Sequence, residues 1–271
     1  MRILKQFLFI TFLILFYQDF YSQKTVYPHS VFWSKTELNQ LDKNLKFGIG
    51  LDFVYRRKSG LDNNNMFAEP LRESIRPWFH YQFSPYARFS LSPIGYMNTN
   101  EYLGKLSDLQ RDSYHEIRTT IQFFHHTKQL NGRIMHTWRY RYELRWQEIS
   151  GTDDYRFFTR FRFRYRIRFN INSNDFYKNN TVYLAVSNEI GLNLGKNVVL
   201  NTFNQNRLYV GVGYRMFNVM RVELRYVNRY RTRGATGYEF DNGQGLMLGV
   251  YFDALKGFGK KDDEYKIQYT D

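Results

Sequence analysis

The chain of 271 residues has no cysteine. That absence excludes disulfide scaffolds, thiolate metal sites and the lipid-modified cysteine of a lipoprotein. Acidic residues are scarce, 25 against 39 basic ones, for a net charge of +14. Beyond its amino end the chain has no segment near the roughly 18 continuous apolar residues of a spanning helix. The motifs GxSxG, HExxH and the phosphate loop are also missing. His125 and His126 are adjacent and would face opposite sides of a strand, so they do not grip one metal. The expectation is a non-enzymatic protein with no cofactor and no metal.

What the chain has in excess is aromatic. Phe 25 and Tyr 23 bring the aromatic share to 19%, while the mean hydropathy is only −0.58. Many rings in a hydrophilic chain require apolar and charged residues to be interleaved, as on a strand with two different faces.

The amino end carries Arg2 and Lys5, then an apolar run over 7–16. That is the length of a signal-peptide core and short for a membrane span. Cleavage after Ser22 would leave Gln23 first. Residues 1–22 therefore read as a signal peptide, 23–43 as a periplasmic segment or first strand, 44–253 as a barrel, and 254–271 as a charged tail.

Strict alternation carries the fold reading. Over 157–169, Phe157, Thr159, Phe161, Phe163, Tyr165, Ile167 and Phe169 alternate with Arg160, Arg162, Arg164, Arg166 and Arg168. A strand sends these sets to opposite faces, whereas a helix would smear both around its circumference. The same period recurs over 45–56, 117–123, 138–146, 207–216, 220–230 and 246–252. Such runs exceed soluble strands and suit tilted transmembrane ones of ~9–11 residues plus an extension. Short links alternate with longer polar ones, as in outer-membrane barrels. The fold class expected is all-β: an antiparallel up-and-down transmembrane barrel of ten strands with both termini periplasmic. Twelve is the alternative, if 30–38 and 263–269 are also strands. Trp138 and Trp146 would mark the two membrane interfaces.

The stretches WSKTEL (33–38), RFRFRYRIR (160–168), YLAVSNEI (183–190), NQNRLYVGVG (204–213) and RVELRYVN (221–228) together resemble a bacterial family, domain-of-unknown-function family 2490, of predicted outer-membrane barrels. The resemblance covers most of the mature chain and implies location and fold alone.

Arginine makes up 25 of the basic residues, and its rigid five-donor fork suits carboxylate and phosphate. Arg118, Arg139, Arg141, Arg162, Arg164, Arg166, Arg221 and Arg225 are the candidates to line a lumen that binds or passes small acidic solutes. Asp52, Glu116, Glu143, Glu189 and Glu223 are the candidates to pair with them, which gives the alternative of a plugged, non-conducting structural or interaction barrel. Ten strands enclose little space and arginine is long, so plugging outweighs an open pore, and a barrel hydrolase ranks last because no catalytic constellation is found. Arg56, Arg57, Lys58, Arg229, Arg231 and Arg233 stand at strand tops, where lipopolysaccharide phosphates would neutralise an external rim. The partners expected are outer-membrane lipid and lipopolysaccharide, the barrel-assembly machinery during insertion, and a small anionic solute. Nucleic acid is not expected, because export and alternation account for the same basic and aromatic residues.

Overall fold

The computed structural model describes residues 24–41, 46–149, 152, 154–198, 200, 202–217, 219–233 and 237–255. The expected signal segment 1–22, most of the expected tail and the possible strand at 263–269 lie outside the described residues. Eleven strands occur among the described residues: β1 (Thr25–Leu41), β2 (Phe47–Lys58), β3 (Glu69–Ser84), β4 (Ala87–Thr99), β5 (Tyr114–Gln129), β6 (Ile134–Glu148), β7 (Tyr155–Asn170), β8 (Val182–Leu194), β9 (Phe203–Met216), β10 (Met220–Thr232) and β11 (Glu239–Phe252). They form a closed barrel in sequence order.

The count corrects the expectation of ten or twelve, because residues 25–41 are a full strand. An odd meander brings its first and last strands back in the same direction, so the seam must be parallel. β1 and β11 pair in parallel from Thr25↔Glu239 to Leu38↔Phe252, and every other neighbouring pair is antiparallel. It follows that the start of β1 and the end of β11 lie at opposite ends of the barrel. Both termini on one side would need an even count.

The strand ends Leu41, Phe47, Ser84, Ala87, Gln129, Ile134, Asn170, Val182, Met216 and Met220 lie at one end, here the turn end. The strand ends Lys58, Glu69, Thr99, Tyr114, Glu148, Tyr155, Leu194, Phe203, Thr232 and Glu239 lie at the other, the loop end. β3 and β4 lose regular register around Pro77 and Pro93, where proline has no amide N–H for the ladder.

Parity is realised as the alternation demands. On β7, Arg160, Arg162, Arg166 and Arg168 are buried inside, whereas Phe157, Ile167 and Phe169 are exposed outside. Leu184, Val186, Leu208, Val210, Val212, Leu224, Leu246 and Leu248 continue the exposed apolar surface around the wall. An apolar surface of this extent is unfavourable in water and matches hydrocarbon. Trp138 and Trp146 are half-buried on the outer face of β6. Trp138 stacks on His125 at 4.6 Å near the turn end, and Trp146 meets Phe157 at 5.2 Å near the loop end. Trp33 and Trp78 are instead buried inside.

Candidate functional site

The interior is organised around four glutamates, each almost fully buried and each shared by several guanidiniums. Glu116 on β5 accepts from Arg118 (Nη2, 2.9 Å) and from Arg145 (2.5 and 2.8 Å). Glu143 on β6 accepts from Arg160 (2.7 Å) and Arg162 (3.1 Å), with Arg118 at 3.8 Å and Arg141 at 3.9 Å. Glu189 on β8 pairs with Arg139, with Arg162 (Nε, 3.0 Å) and with Arg207 (3.3 Å). Glu223 on β10 accepts from Arg166 (2.5 Å), Arg221 (3.0 Å) and the Tyr183 hydroxyl (2.6 Å), with Arg225 at 3.3 Å. Desolvating a carboxylate costs several kcal/mol, and only such multiple charge-assisted bonds offset it. Period-two alternation supplies the geometry, since inward positions on adjacent strands stand side by side.

The eight arginines expected to line the lumen all face inward, and so do the five acids. Arg141 donates to Gln122 at 2.8 Å, and Asp52 lies 3.5 Å from Lys35. The cations nevertheless outnumber their partners. Among the described residues, Arg56, Arg76 and Arg164 have no hydrogen-bond or carboxylate partner, and each holds a buried, unpartnered Nε. Aromatic faces replace carboxylates for some of them: Trp78 lies between Arg76 and Arg141, each 5.4 Å from its ring centre. A central cavity of ≈ 120 Å³ is lined by fifteen arginine or lysine side chains and three carboxylates. Arg76, Arg88, Arg160 and Arg207 belong to this lining and were absent from the sequence-derived set. Parity would have found Arg160 and Arg207, which share the inward phase of Arg162 and of Tyr209.

The set expected to form an external rim requires correction. Arg56, Lys58, Arg229, Arg231 and Arg233 all point inward. The parity that places Arg221 and Arg225 in the lumen carries through to Arg229 and Arg231. Arg57 alone faces outward, where it donates to the carbonyls of Phe67 (2.5 and 3.1 Å) and Ala68 (3.0 Å) and to the Tyr55 hydroxyl. His29 sits within β1 and bonds Asp241 at 3.1 Å.

Several of these basic residues fasten a segment that folds into the loop end. Residues 100–113, with a short 3-10 turn at Leu106–Gln110, bring Tyr102 against His29 at 4.4 Å between centroids. Arg231 pairs with Glu101 at 2.6 Å, Lys105 with Glu239 at 2.7 Å, and Arg233 with Asp108 at 2.7 Å. Burial acts against the Asp108 carboxylate, yet the hydrogen bonds from Arg233 and the Gly104 and Lys105 amides hold it below the usual carboxylate range. Burial likewise opposes the Arg233 charge, and the two aspartates outweigh it and raise its pKa. At the turn end, the 171–181 link buries Phe176 beneath Arg168, 5.0 Å from the ring centre. A second cavity of ≈ 370 Å³ lies at the loop end. Arg72 and Arg160 line both cavities.

The model of the family described as proteins of unknown function (DUF2490) matches residues 31–241, from the middle of β1 into β11. The chain belongs to this family. The match therefore includes the second part of β1 and all four glutamate nodes. No curated protein matches. Among solved structures, a bacterial polysaccharide outer membrane secretin aligns at 9% identity over 78% of this chain, with a TM-score of 0.46. The chain covers 65% of that secretin. The NanC porin aligns at 10% identity over 83% of this chain and 97% of its own, with a TM-score of 0.43.

Proposed function

We propose that this protein is an integral outer-membrane barrel that binds small anionic solutes in its arginine-lined lumen and passes them when the inward segments yield. The observation that carries the reading is the lining of the central cavity, fifteen cationic side chains against three carboxylates. In a low-dielectric interior such an excess raises the local concentration of anions and repels cations. The apolar outer wall supports membrane insertion, and the signal-like amino end supports export to the outer membrane.

A second reading, a non-conducting structural barrel, is favoured by the shared glutamates and by the segments packed into both ends. Charge balance argues against it as the whole account. A plug that served only stability would neutralise its buried cations, because an unpaired buried charge is costly. The inward turn of five of the six expected rim residues likewise favours the lumen over a lipopolysaccharide-facing rim as the site of binding.

The test is current through the refolded protein in planar bilayers under a KCl gradient. Openings whose reversal potential has the sign of chloride permeation support the proposal. A cation-selective reversal potential, or a silent protein that also binds no anion, refutes it.

A further inference from the structure

Within the lumen, one group of residues is built differently from the glutamate nodes. Trp33 on β1 is fully buried, and three guanidiniums from three other strands converge on its indole: Arg56 at 4.1 Å, Arg207 at 5.5 Å and Arg229 at 6.0 Å from the ring centre. Arg56, Arg72 and Arg207 line the central cavity, while Arg72 and Arg229 line the loop-end cavity. The group therefore stands where one cavity gives way to the other. We infer that it is a binding site for a small divalent oxyanion of the phosphate type, and the selective step on a solute's path between the cavities. This rests on the lumen reading above and adds the place, the valence and the ligand class.

Among the described residues no carboxylate lies within ion-pairing distance of Arg56, Arg72 or Arg229; Arg207 alone shares one, Glu189 at 3.3 Å. Arg72 donates to the Thr99 hydroxyl at 2.9 Å, and Arg229 and Arg207 both donate to the Gln205 side-chain oxygen, at 3.0 and 2.9 Å. These neutral acceptors position the guanidiniums without cancelling their charge. A monovalent anion would leave most of that charge uncompensated.

The hydrogen-bond inventory agrees. The buried unpartnered atoms of the group are Trp33 Nε1, Arg56 Nε and Nη1, Gln205 Nε2 and Arg207 Nε, together with the hydroxyl of Tyr102, whose ring centre lies 5.8 Å from Arg229. Every one of them can donate, and none is a carbonyl or carboxylate oxygen. A surplus of donors alone calls for a ligand that is all acceptor. A phosphate-type oxyanion presents several oxygens to guanidinium forks from different sides, whereas chloride offers one charge and no directional pairing. The glutamate nodes differ because their unpartnered nitrogens, such as Arg160 Nη2 and Arg225 Nε, stand beside carboxylates, and Glu223 Oε2 is itself an unpartnered acceptor.

Trp33 also provides the readout, since an anion drawn between its flanking guanidiniums changes the field at the indole. Refolded protein in detergent is titrated with inorganic phosphate and, separately, with chloride, following tryptophan fluorescence and calorimetric binding. Phosphate is expected to bind more tightly than chloride. The fluorescence change should persist in Trp78→Phe and vanish in Trp33→Phe. Arg56→Gln and Arg229→Gln should each weaken phosphate about 10-fold or more, the scale of a lost charge-assisted bond, with Arg57→Gln unchanged. Heat-modifiable gel mobility certifies that each variant is folded, and whichever of the Arg56 and Arg229 variants folds carries the test. Anion-selective current with phosphate affinity untouched in the folded variants would overturn this site and leave the lumen reading standing. Wild-type protein with neither anion binding nor anion selectivity would overturn both.

Discussion

Arg233 joins two aspartates that are far apart in sequence: its Nη1 lies 2.7 Å from Asp108 of the inward loop and its Nη2 lies 2.6 Å from Asp241 of β11. This double bridge fastens residues 100–113 across the loop end. Replacing Arg233 with Gln should remove the charge that links the two carboxylates, leaving Asp108 to the Gly104 and Lys105 amides and Asp241 to His29 and Arg231, and so free the segment, at a cost of about 3–5 kcal/mol for breaking a buried pair. Limited trypsin digestion reads the effect, because Lys105 and Arg111 are cleavable and partly exposed. Cleavage at both should accelerate in Arg233→Gln while the barrel keeps its heat-modifiable mobility.

The same latch should respond to acid. The Asp108 pKa lies below its ordinary value, so its contribution is complete above the unfolded value of about 4 and is lost as the pH falls through the lower folded value. Trypsin is inactive there, so pepsin digestion below about pH 4 is the assay. The loop should become the first site cut as the pH falls, and Asp108→Asn should show the loosened loop already at neutral pH. An equally resistant Asp108→Asn protein would count against the latch.

Glu143 offers the sharpest stability test of the interior. Gln in its place leaves Arg160 and Arg162, at 2.7 and 3.1 Å, facing an amide instead of a carboxylate. The expected loss is about 3–5 kcal/mol, measured by urea unfolding from lipid vesicles. A loss under about 1 kcal/mol would mean that water already screens the node.

How far the sequence foretold this can be judged strand by strand. β7 was legible because five arginines share one phase with nothing to interrupt them. β1 is not legible because its inward face mixes Tyr27, His29, Val31 and Trp33 with Lys35 and Glu37, while Ser30, Ser34 and Thr36 face out. Its polarity is locally inverted, so period-two hydropathy is silent there, and the odd strand count and parallel seam were hidden with it. The arginine lumen followed from parity alone. The latch did not, because Asp108 and Arg233 meet only after the barrel closes, and no local pattern encodes a contact over that separation. The Trp33 site escaped for both reasons: it lies on the illegible strand, and its arginines come from three others.

The apolar wall predicts a penalty for charge at mid-height. Val210 on β9 is 43% exposed and pairs with Tyr226 and Val186 near the strand centres. Arg at this position should cost about 2–4 kcal/mol in a bilayer, the range for a lipid-facing cation at the midplane. The same substitution in a protein whose wall met water would change stability by under about 0.5 kcal/mol.

The parallel seam can be trapped directly, since the chain has no cysteine of its own. Phe32 of β1 and Leu246 of β11 are register partners, within the spacing a disulfide accepts. The double variant Phe32→Cys, Leu246→Cys should crosslink on mild oxidation, shown by a gel shift reversed by reductant. A pair that stays reduced in folded protein would remove β1 from the seam.

The central claim is that uncompensated lumen arginines select anions, and the reversal potential of a variant lacking two of them tests it most directly. Among the described residues Arg76 and Arg164 have no carboxylate partner, and each holds an unpartnered Nε, so converting both to Gln removes charge from the lumen without breaking an ion pair. Under a KCl gradient in planar bilayers, the folded double variant is predicted to shift its reversal potential from the chloride side towards zero. An unchanged potential, or a cation-selective wild type, would contradict the account.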